Sequence, residues 1–211
     1  EDRLIDLAFA EDIGDGDHTT LCCIPEDAMG KSHLLIKEDG ILAGVEVAKR
    51  VFARFDNTMK VEVLMQDGTR VHKGDVAMVV TGKVRSLLQT ERLMLNIMQR
   101  MSGIATMTNR YVERLKGTNT HVLDTRKTTP GMRILEKQAV KIGGGMNHRI
   151  GLFDMILLKD NHVDFAGGIK NAITRCHEYL KEKNLDLKIE LEVRNFDELN
   201  QALECGGIDR I

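Results

Sequence analysis

The chain has 211 residues, of which 42% are hydrophobic and 29% are charged, a composition typical of a globular protein and not of a disordered or fibrous one. Its 30 Lys and Arg against 32 Asp and Glu give a formal net charge of -2, which argues against bulk electrostatic binding to nucleic acid or to a membrane surface. No apolar run reaches the length of a membrane span, and the four cysteines lack the spacing of a zinc site. We therefore expect a cytoplasmic protein with reduced thiols, no signal peptide and no membrane or nucleic-acid partner.

The first part of the chain, up to about residue 85, predicts short helices and strands in mixed order. We expect helices at 2–8 and 45–55, strands at 32–37, 60–65 and 76–81, and a polar loop at 11–20. This mixture predicts a small α+β layer structure. An apolar stripe over residues 86–116 predicts a long helical stretch, which we expect Ser102-Gly103 to divide into two helices.

Beyond residue 120 the pattern changes to strands that alternate with helices. We expect strands at 121–124, 155–159, 187–193 and 208–211, and helices at 132–142, 168–181 and 196–204. Repeated strand-then-helix units predict a parallel sheet with right-handed crossovers, and their spacing fits a βα barrel better than a doubly wound sheet. The chain opens within a helical pattern and stops at the start of a strand, so we expect both ends to be truncated.

Polar side chains gather where such a barrel places its active site, in the loops after the strands. These segments are Asp124 to Gly131, Gly143 to Arg149, Lys159 to His162, and the pair Glu190 and Glu192. Residues 124–162 contain seven Lys or Arg and four Asp or Glu, a net charge of +3 in a chain of net charge -2. The excess predicts an anionic ligand with several negative groups, and we expect Lys159 to lie in a partly desolvated mouth.

Several of these residues also have a purely structural interpretation. Arg133, Lys137 and Lys141 are spaced to form a solvated helix face. The Gly143–Gly145 triplet either brings backbone N–H groups close to an anion or simply ends a helix. His148 fits either role. Glu190 and Glu192 share one strand face, so one or both could point into the site.

Residues 67–75 resemble half of a biotinyl or lipoyl carrier domain. A carrier needs a modified lysine at the tip of a second hairpin, and the sequence contains no such hairpin. We interpret the segment as hammerhead-like β structure without the carrier role.

Several spaced motifs, taken in order, resemble the quinolinate phosphoribosyltransferase family. They are Glu11 to Asp17, Thr90-Glu91-Arg92, Asn96, Met101 to Thr106, Asp124 to Thr128, Gly143 to Gly145 with His148-Arg149, and Leu158 to His162. The resemblance implies an α/β fold: an N-terminal α/β sandwich, hammerhead-like, with a linking helix over residues 1–103, and an open α/β barrel over 104–211, here without its last strands.

The resemblance also implies a pentosyltransferase reaction of NAD synthesis. The phosphoribosyl group of phosphoribosyl pyrophosphate passes to quinolinate with decarboxylation, giving nicotinate mononucleotide, CO₂ and pyrophosphate. The implied cofactor is Mg²⁺, held mainly by substrate and water with no protein ligand assigned, and no organic cofactor is implied.

The motifs assign roles residue by residue. Arg126, His148 and Arg149 match residues that bind the quinolinate carboxylates. Lys127, Lys159 and Glu192 match residues that bind substrate and act in catalysis, with Glu190 as the alternative to Glu192. Arg92 matches an arginine that enters the site of the partner subunit, which implies a homodimer or a higher homo-oligomer.

Two other interpretations stay open at this point. The chain could be a paralogue of the same fold with another anionic substrate, such as the molybdenum-locus proteins, or an inactive anion-binding fragment. Two arginines, Arg126 and Arg149, together with His148 favour a dicarboxylate such as quinolinate over a substrate with a single carboxylate.

Overall fold

All 211 residues are described by the structure, a computed structural model, and they form two units, residues 1–148 and 149–211, each with its own hydrophobic core. The first unit contains, in order, α1 (Asp2–Ile13), α2 (His18–Cys23), β1 (Met29–Leu35), β2 (Gly40–Ile41), α3 (Val45–Phe55), β3 (Lys60–Val63), β4 (Arg70–Val71), β5 (Val76–Lys83), α4 (Val84–Arg114) and α5 (Arg133–Ile142). The second contains β6 (Ile156–Leu158), α6 (Asp160–Ala166), α7 (Ile169–Lys183), β7 (Ile189–Leu191) and α8 (Phe196–Cys205). The prediction of an α/β fold is confirmed.

An antiparallel sheet in the order β1-β5-β3 forms the centre of the first unit, and β2 and β4 form a separate small antiparallel pair. Strand β5 reads Val76-Ala-Met-Val-Val-Thr-Gly-Lys83, and the four residues from Ala77 to Val80 are buried. The side chains of Ala77, Met78 and Val80 join those of α3 and α4 in one core. Burial of this kind is the main favourable term in folding, at about 25 cal/mol per Å² of apolar surface.

Helix α4 runs unbroken for 31 residues, so the predicted break at Ser102-Gly103 is wrong. Its buried residues repeat every three or four positions and face the core: Ser86, Thr90, Met94, Ile97, Met98, Met101, Ala105 and Thr108. The Ser102 hydroxyl accepts from the Ala43 N–H at 2.9 Å and donates to the Ala43 carbonyl oxygen at 3.1 Å. This tertiary anchoring outweighs the modest helix cost of a single glycine.

The predicted domain boundary after residue 103 lies within helix α4 and stays a prediction. Segment 67–75, compared above with a carrier domain, forms β4 and the turns beside it. Its Asp67 carboxylate accepts from the backbone N–H of Val45 at 2.8 Å, at the start of α3, and so has a structural role.

The strand-then-helix pattern of the second unit is confirmed, and its two strands pair in parallel. The predicted strands at 121–124 and 208–211 are reduced to single bridge pairs, Leu123 with Met146 and Glu190 with Arg210. Two short helices were not predicted, because neither is long enough to show an apolar period. Helix α2 starts inside the predicted polar loop, where the Asp17 side chain accepts from the Thr20 N–H, and α6 starts directly after Lys159. None of the helices is long and apolar enough to cross a bilayer.

Helices α4 and α5 meet at glycine. A Cβ on Gly143, the residue that ends α5, would overlap the carbonyl oxygen of Ala105 and lie 2.9 Å from Cβ of Thr108, both on α4. The φ angle of Gly143 is -72°, so any residue could adopt its backbone conformation and only space excludes a side chain. Gly143 therefore sets the separation of the two helices.

We predict that Gly143→Ala lowers the free energy of unfolding by about 1–3 kcal/mol, because the added methyl group forces α5 away from α4. Gly103→Ala is the matched control, since a Cβ at that helical position meets nothing within 4 Å. The control should raise stability by about 0.5–1 kcal/mol. Urea unfolding of both variants measures the difference, and equal effects would contradict this account of the contact.

Candidate active site

Lys159 and Glu192 follow the ends of the two paired strands of the second unit. Leu158, the last residue of β6, lies beside Leu191, the last residue of β7. The Glu192 N–H donates to the Leu158 carbonyl oxygen at 2.9 Å, and Nζ of Lys159 lies 3.0 Å from Oε1 of Glu192. Both side chains thus stand together at the carboxyl edge of a parallel pair, as predicted for side chains of a βα active site.

This ion pair is open to solvent and to ligands. The exposed fractions of the Lys159 and Glu192 side chains are 45% and 53%. Lys159 is therefore less desolvated than predicted, because its side chain lies along the surface towards the carboxylate. Exposed pairs of this kind contribute at most about 1 kcal/mol to stability. A ligand can therefore replace either partner of the pair at little cost in free energy.

The structure distinguishes the two glutamates that the sequence left open. Glu190 is only 16% exposed in its side chain and its Oε2 lies 2.9 Å from Nη1 of Arg210, in the neighbouring segment. Glu192, not Glu190, lies beside Lys159. The geometry therefore favours Glu192 as the acid at the strand ends.

A buried ion pair joins Asp124 to Lys137 in the first unit. Both side chains are 5% exposed, and the Lys137 ammonium contacts Asp124 Oδ1 and donates to the His148 carbonyl oxygen at 3.1 Å. The prediction that Lys137 belongs to a solvated helix face is wrong. Lys137 has the same helical spacing as Arg133 and Lys141, and that spacing does not show that Asp124, from another segment, buries its ammonium group.

The same carboxylate also holds the segment that contains His148. Asp124 Oδ1 accepts from the His148 N–H at 2.8 Å, and Oδ2 accepts from the side-chain amide of Asn147. That amide donates as well to the Lys137 carbonyl oxygen at 2.8 Å. These bonds form one network of four residues: Asp124, Lys137, Asn147 and His148. Of the four, the sequence analysis predicted only His148 as a site residue.

A second buried carboxylate, Glu136, holds the loop that follows Asp124. Glu136 Oε1 accepts from Nη2 of Arg100 at 2.8 Å, and Oε2 accepts from the Thr129 N–H at 3.2 Å. Burial favours the neutral acid, but the hydrogen bonds from Arg100 and Thr129 outweigh it and lower the pKa of Glu136 below its ordinary value. Sequence reasoning missed this residue, although Glu136 lies on the stripe of Met132 and Ala139 that faces the core.

Arg126 and Lys127 lie in the loop between Asp124 and Glu136. The Arg126 carbonyl oxygen accepts from Nη2 of Arg133 at 3.4 Å, and the Lys127 N–H donates to the Thr125 hydroxyl at 3.0 Å. Nε of Arg126 is buried and has no hydrogen-bond partner. An unpaired buried donor costs about 1–3 kcal/mol, so this atom is suited to a ligand oxygen that completes its bonding.

The remaining predicted site residues occupy different settings. Arg149 Nη1 donates to the Met155 carbonyl oxygen at 3.2 Å, across a loop closed by Asp154, which accepts from the N–H groups of Ile150 and Gly151, each at 2.7 Å. Arg92 is exposed on α4. His148 is half-buried.

The glycine triplet ends a helix. The N–H groups of the three glycines donate to the carbonyl oxygens of Ala139, Lys141 and Val140, each at 3.0 Å. They are therefore used within the end of α5, and the structure favours the helix-stop interpretation over direct anion binding.

Two family models match the chain in consecutive ranges. The model described as "Quinolinate phosphoribosyl transferase, N-terminal domain" matches residues 17–102, and that described as "Quinolinate phosphoribosyl transferase, C-terminal domain" matches residues 104–211. Together they account for almost the whole chain.

Individual proteins give the same result. The chain is 48% identical to the chloroplastic nicotinate-nucleotide pyrophosphorylase [carboxylating] of Arabidopsis thaliana over 95% of its own length and 58% of the relative. It is 41% identical to the probable nicotinate-nucleotide pyrophosphorylase [carboxylating] of Synechocystis sp., over 92% of its length and 65% of the relative. It is similar to the crystal structure of NadC from Streptococcus pyogenes with a TM-score of 0.92 and 40% identity, covering 99% of this chain and 72% of that one. The chain thus spans less than two thirds of these two curated relatives.

We predict that the ion pair of Glu136 makes stability depend on pH. Its pKa is lowered on folding, so its contribution is present above about pH 4.3, the value of an unfolded glutamate, and is lost as the pH falls through the folded value. Glu136→Gln should cost about 1–3 kcal/mol at pH 7, and the difference from the parent should shrink in acid. Urea unfolding of the parent and of Glu136→Gln, at pH 7 and again below about pH 4.3, measures this difference.

The control for this prediction is Glu46→Gln. Glu46 pairs with Lys49 at 2.9 Å on an exposed helix face, and its removal should change stability by less than about 0.5 kcal/mol at either pH. A gap between parent and Glu136→Gln that stays constant from neutral to acid pH would contradict the assignment.

Proposed function

The chain belongs to the quinolinate phosphoribosyltransferase family, and from that membership we propose that it transfers the phosphoribosyl group of phosphoribosyl pyrophosphate to quinolinate with loss of CO₂. The observation that carries the proposal is the match of both family models, in order, over residues 17–102 and 104–211. The names of the relatives favour this reaction over a same-fold paralogue with another anionic substrate.

The proposed binding of quinolinate rests on cationic and donor groups. Its two carboxylates call for guanidinium groups, which bind carboxylates through paired N–H donors. We assign Arg126, His148 and Arg149 to this role. The unpartnered Nε of Arg126 supports the assignment, because a substrate oxygen would satisfy a donor that the protein leaves unpaired.

The proposed transfer step breaks the bond between ribose C1 and the pyrophosphate oxygen and forms a bond from C1 to the ring nitrogen of quinolinate. Positive charge develops on the ribose as pyrophosphate leaves with the bonding electrons. A carboxylate near that charge stabilises it, and we assign this role to Glu192. Lys159 and Lys127 would hold the anionic groups of the substrates. The 3.0 Å pair of Lys159 and Glu192 supplies both signs of charge at the strand ends.

Decarboxylation then follows from the product of the transfer. The ribosylated ring nitrogen is cationic and lies beside the carbon that loses CO₂. The electron pair left on that carbon is stabilised by the adjacent cation, and a proton from solvent replaces the lost group. The chain needs no organic cofactor and no dedicated general base for this step.

We propose Mg²⁺ as the metal, bound chiefly through substrate oxygens. The chain has no cluster of three or more His, Cys, Asp or Glu side chains that could hold a metal ion. Mg²⁺ commonly binds through one or two carboxylates together with substrate phosphates and water, and the exposed Glu192 carboxylate fits that donor set. When bound, the ion would offset the charge of the pyrophosphate group.

We further propose a homodimer in which Arg92 serves the partner subunit's site, and a cytoplasmic location. The exposed position of Arg92 on α4 supports the first. The Arabidopsis relative is named as chloroplastic, so location is the part of the proposal that sequence similarity supports least.

The proposed reaction is tested by incubating the protein with phosphoribosyl pyrophosphate, Mg²⁺ and either quinolinate or nicotinate. Quinolinate should give nicotinate mononucleotide and CO₂, and nicotinate should give little product. Glu192→Gln should lower kcat by roughly 100-fold, the scale of losing one charge-stabilising group. Glu190→Gln, the matched control, should retain much more activity. Turnover of neither substrate would overturn the proposed reaction and favour the anion-binding fragment.

The shared site is tested by mixing two inactive variants, Arg92→Ala and Lys159→Ala. Mixed dimers contain one site with both residues intact, so random exchange should restore roughly a quarter of the parent activity, because half of the dimers are mixed and each has one good site. Each variant alone should stay inactive. Absence of recovery after proven subunit exchange would refute the role of Arg92.

A further inference from the structure

The ion pair of Asp124 and Lys137 is buried, and its contribution to stability does not explain why it is ionic. Both side chains are 5% exposed. Removing two charges from water costs several kcal/mol per ion, and an apolar pair of similar size often stabilises a fold equally well. Stability alone therefore gives no reason for this pair to be ionic.

What distinguishes the pair is the destination of its other hydrogen bonds. Asp124 Oδ1 accepts from the N–H of His148, and Lys137 Nζ donates to the carbonyl oxygen of the same residue. Both backbone polar groups of His148 are thus fixed by one ion pair. Asn147, the preceding residue, is fixed through its side chain by the Asp124 carboxylate and the Lys137 carbonyl oxygen.

The pair also connects two segments of the proposed quinolinate site. Asp124 lies two residues before Arg126, at the start of the loop that contains Arg126 and Lys127. His148 comes from the segment after helix α5, on which Lys137 lies. Apolar side chains could fill the same space, but they could not fix the backbone of His148 by hydrogen bonds.

We infer that Asp124 and Lys137 are positioning residues for quinolinate: they fix the backbone at His148 relative to the Arg126 loop and contact no substrate themselves. This inference rests on the proposed function. It assigns a role in substrate binding to Lys137, which its helical spacing places among solvated residues, and to an aspartate that the motifs leave without one.

The test uses a double variant, Asp124→Leu/Lys137→Met, which replaces the ion pair by apolar side chains. The double change avoids the lone buried charge that either single change would leave, so the protein should remain folded. Calorimetric titration should show quinolinate affinity reduced by roughly 10-fold or more, the scale known for residues that orient the ligands of a metal site. Affinity for phosphoribosyl pyrophosphate should fall much less, because Lys159 and Glu192, which are also assigned to that substrate, have no bond to the Asp124–Lys137 pair.

A matched control separates positioning from general destabilisation. Thr106→Val removes the hydroxyl that accepts from the Ile41 N–H at 2.8 Å, elsewhere in the first unit. It should lower thermal stability and leave both affinities unchanged. Hydrogen exchange at the His148 amide, measured without ligand, should accelerate in the double variant and not in Thr106→Val.

The outcomes distinguish the inference from the proposed function. Selective loss of quinolinate affinity together with faster exchange at His148 supports the positioning role. If the parent binds quinolinate, three results in the double variant overturn that role alone. They are an equal loss of both affinities, an unchanged quinolinate affinity, and unchanged hydrogen exchange at the His148 amide. A parent that binds neither substrate overturns the proposed function, and the positioning role with it.

Discussion

Helix α5 imposes the constraint on which the polar segments of the first unit depend, because it buries two opposite charges at consecutive positions, Glu136 and Lys137. Consecutive helix residues point about 100° apart, so the two charges need partners from different directions. Glu136 finds Arg100 and the backbone of Thr129, and Lys137 finds Asp124 and the backbone of His148. Since a buried charge without its partner is costly, any packing of α5 that separated it from these segments would be disfavoured.

Two charged pairs of this protein differ in exposure and in what they bind. The buried pair of Lys137 and Asp124 bonds to backbone groups of His148 and has little contact with solvent. The exposed pair of Lys159 and Glu192 fixes no backbone and keeps both charges within reach of solvent. The first pair therefore holds backbone groups in place, and the second keeps both of its charges accessible.

Much of the fold follows from the sequence, since the apolar periods of α3, α4, α5, α7 and α8 and the continuous apolar run of β5 are local properties. The apolar period does not predict the short helices α2 and α6, because capping residues and tertiary contacts determine where they form. The site divides in the same way. Strand ends predict where Lys159 and Glu192 lie, whereas the burial of Lys137 depends on Asp124, thirteen residues earlier, and no spacing rule connects the two.

Helix α4 continues without a break across the point where the two family models meet. The two family models meet near residue 103, in the middle of a helix about 46 Å long, and Met101 and Ala105 on either side of that point pack in the same core. A chain divided at residue 103 would split α4 into two short helices. Each would expose part of the apolar face that packs in the core. The ranges matched by the two family models therefore differ from the two compact units of the structure, which divide after residue 148.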